Sequence, residues 1–281
     1  DDARIRLDAL HSSNPSAATV VALGMLDAIG SDFESAEKRF QEALSLDPEL
    51  GEAHTAMGSL HWARGDQEAA DAAYAKAFEL ANGDASKRFL YAQFKSRTGE
   101  AESAAKLVDE ILADSPRFVP ALTLKAQLKS AETQFEDAAA LTDEILRLTP
   151  YNPEAILLSS RLKLAQNQFD DAIKQLERSI ERFPELDALE YQLALAHLGN
   201  NETVKSSAHL SRTLAINPNH NEAILMKAAL AARQGDPEGA IISLEEVILK
   251  NRENVQAQTM LAQIHLEAGH LDEALMLYKA L

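Results

Sequence analysis

Apolar residues along the chain recur three and four apart, the spacing of one face of an α-helix. Short polar turns break this pattern at regular intervals. The stretch Gly51–Asp84 shows it most plainly, as two helical patterns split by Arg64-Gly65-Asp66. The first carries Gly58 at its centre. The second places Ala70, Tyr74 and Ala77 on one face. Small residues at Gly58 and Ala70 let two helices approach closely, with Tyr74 filling the space beside them. The pattern predicts an antiparallel helix pair that cannot bury its apolar face alone.

The same pattern returns every 34 residues without insertion or deletion, in blocks that start at Ala17, Gly51, Ala85, Val119, Pro153, Asp187, Asn221 and Val255. The eighth position of each block is small: Gly24, Gly58, Ala92, Ala126, Ser160, Ala194, Ala228 and Ala262. So is the twentieth: Ala36, Ala70, Ala104, Ala138, Ala172, Ser206, Ala240 and Ala274. The thirty-second holds Pro48, Pro116, Pro150, Pro184 and Pro218, with Asn82 and Arg252 in the other two blocks. Proline at a fixed phase marks a helix stop, because it lacks the N–H that would continue the ladder. Turns such as Gly30-Ser31-Asp32, Thr98-Gly99-Glu100 and Gln234-Gly235-Asp236 fall in mid-block. There Gly tolerates a left-handed backbone and Asp caps the following helix.

A helix–turn–helix of this length, small at positions 8 and 20, bulky at 24 and Pro at 32, resembles the tetratricopeptide repeat. The resemblance spans essentially the whole chain. It divides a single array, 1–281, into repeats 17–50, 51–84, 85–118, 119–152, 153–186, 187–220 and 221–254, with a truncated repeat at 255–281. Residues 1–16, with Ala3, Leu7 and Leu10 on one face, read as the second helix of a preceding partial repeat. Thr142 departs from the bulky position 24, and Lys125, Ser159 and Lys227 depart from the apolar position 7. With no polar capping helix at either end, the chain reads as a segment of a longer array, or as one whose open ends pair with another copy.

The resemblance implies an all-α, right-handed superhelical solenoid whose first helices line a concave groove. Groove residues of the family tend to occupy positions 2, 5, 9 and 12. Here only Glu52, Glu154, Arg161 and Glu222 are charged among them, a depletion typical of protein-binding interface cores. The groove candidates are Val21, Met25, Trp62, Phe89, Gln93, Leu157, Arg161, Leu164, Tyr191, Leu195, Leu198 and Leu225. The set from Leu157 to Leu225 is expected either to seat an amphipathic or extended apolar segment or to pack on neighbouring repeats. Trp62 is expected as an anchor or a packing residue, and Arg161 as the partner of a ligand carboxylate or of Glu154 or Glu190. Position 5 lacks Lys, and positions 6 and 9 lack Asn. The family's carboxylate clamp and asparagine ladder are therefore absent.

Charge narrows the partners. A net charge of −17 argues against nucleic acid and against an anionic membrane surface. There is no Cys, which excludes thiol chemistry and Cys-based zinc sites and is compatible with a bacterial periplasm or a cytoplasm. No apolar run is long enough to span a bilayer, and no signal peptide is visible. His54, His61, His197 and His265 fall at packing positions without the i,i+4 pairing of a metal site. Asp109-Glu110, Asp170-Asp171 and Glu245-Glu246 sit on second helices, where they are expected to solubilise. No phosphate loop or nucleophile elbow is present. The expected function is thus a non-catalytic scaffold for a protein or peptide, without cofactor or metal. A polysaccharide-associated module using Trp62 and Phe89, or the recruiting arm of an enzyme whose catalytic domain lies elsewhere, are the alternatives.

Overall fold

The computed structural model describes residues 2–250 and 252–281. Asp1 and the side chain of Ala3, both read above as part of the first helix, lie outside them. The described residues form helices and the turns between them, without strands. Helix α1 (Asp2–Ser13) precedes eight pairs. The pairs are α2 (Ala17–Ile29) with α3 (Phe33–Leu46), α4 (Gly51–Ala63) with α5 (Gln67–Leu80), α6 (Ala85–Arg97) with α7 (Ala101–Asp114), and α8 (Val119–Ala131) with α9 (Phe135–Leu148). There follow α10 (Pro153–Ala165) with α11 (Phe169–Arg182), α12 (Asp187–Gly199) with α13 (Thr203–Ile216), α14 (Asn221–Arg233) with α15 (Pro237–Lys250), and α16 (Val255–Glu267) with α17 (Leu271–Ala280). The chain divides into two compact units, 1–141 and 142–281, with the boundary in sequence falling within α9.

Local chemistry accounts for the boundaries. Asp32 and Asp66 accept the backbone N–H of Ser35 and Ala69 at 3.1 Å, capping α3 and α5. Asn152 and Asn254 do the same for α10 and α16. Each intra-pair turn contains one left-handed residue at the same phase: Ser31, Gly65, Gly99, Thr133, Asn167, Asn201, Gly235 and Gly269, with φ from 58° to 86°. Thr133 is the costly one, because a β-branched side chain crowds the backbone there. Pro48, Pro116, Pro150, Pro184 and Pro218 each stand two residues beyond the end of a second helix.

Within each unit the same packing recurs. First helices pack on their own second helices, and each second helix packs on the next first helix, as α5 does on α6 and α13 on α14. First helices also touch across repeats: α2 on α4 and α6 on α8 in one unit, α10 on α12 and α14 on α16 in the other. No second helix packs comparably on another second helix among the described residues. The first helices therefore form the tighter layer.

The small residues sit where the helices cross. A Cβ on Gly24 would meet the Phe40 ring at 2.6 Å, and one on Gly58 would meet Tyr74 at 3.0 Å. Ala36, Ala70, Ala104, Ala138, Ala172, Ala194, Ala240 and Ala274 are buried in the same role. Against them lie Phe40, Tyr74, Val108, Leu176, Leu210 and Leu244, all buried. Each such side chain removed from water contributes about 1.5–3 kcal/mol. Thr142 is buried as well, so the polar departure at that position does not open the core to water.

Candidate functional site

On α10, Leu157, Arg161 and Leu164 share one stripe of the helix. On α12, which packs beside α10, Tyr191, Leu195 and Leu198 occupy the corresponding stripe. Leu157 and Leu164 pack one edge against the core of Leu176, Leu189 and Leu193. Tyr191 and Leu198 do the same against Leu210 and Leu230. All four remain half-buried, as does Leu195, and Arg161 among them is exposed. The Tyr191 ring lies 4.6 Å from that of His220, tilted by 39°. Burial raises the Tyr191 hydroxyl above the ordinary tyrosine range, with the charge of Glu222 adding to it. The row presents apolar side chains around the exposed guanidinium of Arg161.

Two of the groove candidates belong elsewhere. Val21 is 4% exposed and Leu225 is 5% exposed, each inside an apolar core cluster. Neither has surface to offer a ligand. Glu190 is not the partner of Arg161. Its Oε2 lies 2.6 Å from Nδ1 of His209.

In the unit 1–141 the candidates are more scattered. Trp62 is half-buried, edge-on to Phe94 at 5.7 Å, with the Arg97 guanidinium 5.4 Å from its ring centre. Phe89 packs edge-on to Phe118 at 5.8 Å. Gln93 is half-buried, and Met25 is 43% exposed at the mouth of a small recess shared with Thr55 and Leu90. An ion pair of Glu52 and Lys87, 2.7 Å apart, borders that recess.

Sequence reasoning missed a polar relay at position 11. Asp27, only 3% exposed, is held by Arg39 at 2.7 Å and by Arg4. Lys95 bridges Asp71 and Glu100 at 2.7 and 2.8 Å. Lys163 donates to Oε1 of Gln175. His197 stacks on His209, ring centres 5.1 Å apart, with Glu202 2.6 Å from its Nδ1. Hydrogen bonds from Lys205 and then His197 hold the Glu202 carboxyl below the ordinary range. Asp27 with Arg39, Lys163 with Gln175 and His197 with His209 all join positions 11 and 23, a spacing of twelve that marks the relay in the sequence. The relay ties first helix to second. Among the described residues no group of three His, Asp or Glu is arranged to hold a metal.

A family model described as tetratricopeptide repeat matches residues 130–198, 163–232 and 231–281, and a second of the same description matches 51–84. Among solved structures, a tetratricopeptide repeat protein from Parabacteroides merdae aligns over 88% of this chain and 98% of its own, with a TM-score of 0.71 at 16% identity. Yeast Tom70 aligns over 94% of this chain and 58% of its own, with a TM-score of 0.63 at 20% identity. PilW, described as a widely conserved type IV pilus biogenesis factor, aligns over 74% of this chain and 96% of its own, with a TM-score of 0.62 at 19% identity. At these identities the likeness is one of fold. No curated sequence matches the chain at a significant level.

Proposed function

The chain belongs to the tetratricopeptide repeat family, and from that premise we propose that it is a non-catalytic scaffold that seats a protein segment on the row formed by α10 and α12. One observation carries the reading: Leu157, Leu164, Tyr191, Leu195 and Leu198 stand half-buried in a line on the tighter helix layer, around exposed Arg161. A helix or extended segment with apolar anchors three to four residues apart, or at alternate positions, would complete their burial. An acidic group on that segment would pair with Arg161. The family's general role in protein interaction supports this assignment, and no described helix is long and apolar enough to cross a membrane.

The test compares proteins captured by the intact chain and by Arg161→Glu with Leu195→Glu. Arg161 is exposed and Leu195 is half-buried, so the variant keeps its helical circular dichroism. Its captured partners should bind at least about tenfold more weakly, because the double change places unpaired carboxylates against apolar anchors. Unchanged capture by the folded variant would overturn the assignment.

A further inference from the structure

Between α9, α10 and α11 lies a cavity of about 600 Å3, within the size range of small-ligand and side-chain pockets. It opens on a different face of α10 from the groove row: Ile156 and Lys163 line it, whereas Leu157, Arg161 and Leu164 do not. Its apolar lining includes Leu146, Pro150, Ile156 and Phe183, with the ring of Tyr151. Its charged lining is mainly cationic, with Lys163, Lys174, Arg178 and Arg182 against Asp171.

Apart from Lys163, which the relay ties to Gln175, these cations add little to the fold. Lys163 is half-buried and donates to the neutral side chain of Gln175. Lys174 stands 3.8 Å from Asp171, an exposed pair of little worth. The Arg182 guanidinium lies 5.3 Å from the centre of the exposed Tyr151 ring. On α11 the bases Lys174, Arg178 and Arg182 form one stripe, and Asp170, Glu177 and Glu181 form another, roughly 100° round the helix for each residue of offset. Other repeats place mostly acids where Arg178 stands (Glu42, Glu110, Glu144, Glu246) and mostly apolar residues where Arg182 stands (Leu46, Leu80, Leu148, Ile216). The repeat scaffold therefore does not require this stripe.

We propose that this cavity binds an acidic peptide segment that inserts one aromatic or aliphatic side chain against Leu146, Ile156 and Phe183 while its carboxylates meet Arg178, Arg182 and Lys163. The anchor supplies apolar burial and the carboxylates supply charge-assisted hydrogen bonds, bidentate at the two arginines. Asp171 in the lining and Asp170, Glu177 and Glu181 on the neighbouring stripe of α11 offset part of this attraction, while acidic groups beyond about 8 Å are screened at physiological salt. Burial also lowers the Lys163 ammonium, with the charges of Asp143 and Asp171 acting in the opposite sense, and a ligand carboxylate would further favour its charged form.

The test is fluorescence anisotropy with the full chain and a panel of labelled octapeptides, each carrying Phe, Trp or Leu between acidic flanks. The expected result is saturable binding that weakens with salt. It should fall at least about tenfold when the flanks become Gln and Asn, or when the protein carries Arg178→Glu with Arg182→Glu. Both arginines are exposed, so circular dichroism should show the variant folded. The groove variant Arg161→Glu with Leu195→Glu should bind the panel as the wild type does. Equal binding by the Arg178/Arg182 variant, no binding of any panel peptide, or full displacement by millimolar inorganic phosphate would each overturn the proposal. Loss only in the groove variant would overturn it while leaving the groove reading standing.

Discussion

Gly24 lies so close to Phe40 that a Cβ on it would meet Cε1 of the ring at 2.6 Å and Cδ1 at 2.9 Å. Phe40 is fully buried, so the ring has no solvent to retreat into. Overpacking of this kind costs about 1–3 kcal/mol, while replacing a mid-helix Gly by Ala returns up to about 1 kcal/mol of helix propensity. Gly24→Ala should therefore lower stability by about 1 kcal/mol net, seen as a lower thermal midpoint of the intact chain. A raised midpoint would show that the ring can move.

Thr133 carries a β-branched side chain at φ 60°, where six of the other seven equivalent turns have Gly or Asn and one has Ser31. The left-handed region costs an L-residue about 1–2 kcal/mol, and Gly in exchange loses about 0.5–1 kcal/mol through its unfolded-state freedom. Thr133→Gly should stabilise by about 0.5–1 kcal/mol, measured as an upward shift of the thermal midpoint.

Asp27 is a buried carboxylate with Arg39 and Arg4 as its cations. Breaking one arm of a buried ion pair costs up to about 3–5 kcal/mol, and retention of the partly exposed Arg4 lowers that figure. Arg39→Leu should destabilise by about 2 kcal/mol, read by denaturant midpoint. Asp27→Asn combined with Arg39→Leu should recover part of the loss, since no charge is then left buried.

Tyr91 is pushed up to about 12, first by burial and then by its hydrogen bond to Asp71. Its unfolded value is about 10. A raised folded value means that the folded state holds the proton more tightly, so this contribution to stability is complete below about pH 10. It is lost as pH rises through the window from there to about 12. Ultraviolet titration should show one phenol ionising near pH 12. In Tyr91→Phe that step should vanish, and the thermal midpoint should fall less steeply across the same window.

Much of the scaffold was legible before any coordinates. The small residues at positions 8 and 20 lie at helix crossings, where Phe40 and Tyr74 leave little room for a larger side chain, and the prolines follow helix ends. The functional surface was legible only as a list of positions. Leu157, Tyr191 and Leu225 share position 5, yet the first two are half-buried and the third is inside the core. Leu157 and Leu225 are the same residue type, so the packing neighbours around each decide that difference, and those neighbours are not periodic.

The sequence by itself determined the helix pairs, their turns and their membership in a repeat family, because those rest on local backbone geometry and on a short apolar period. Tertiary structure alone decided which polar residues meet. Asp27 found Arg39, His197 stacked on His209, and Lys163 reached Gln175, each across a helix pair whose crossing sets the distance. It also gathered Lys163, Lys174, Arg178 and Arg182 over an apolar floor made by α9, α10 and the residue that ends α11. Coulombic and hydrogen-bond energies depend on separations of a few ångströms, and such separations exist only once the helices have packed.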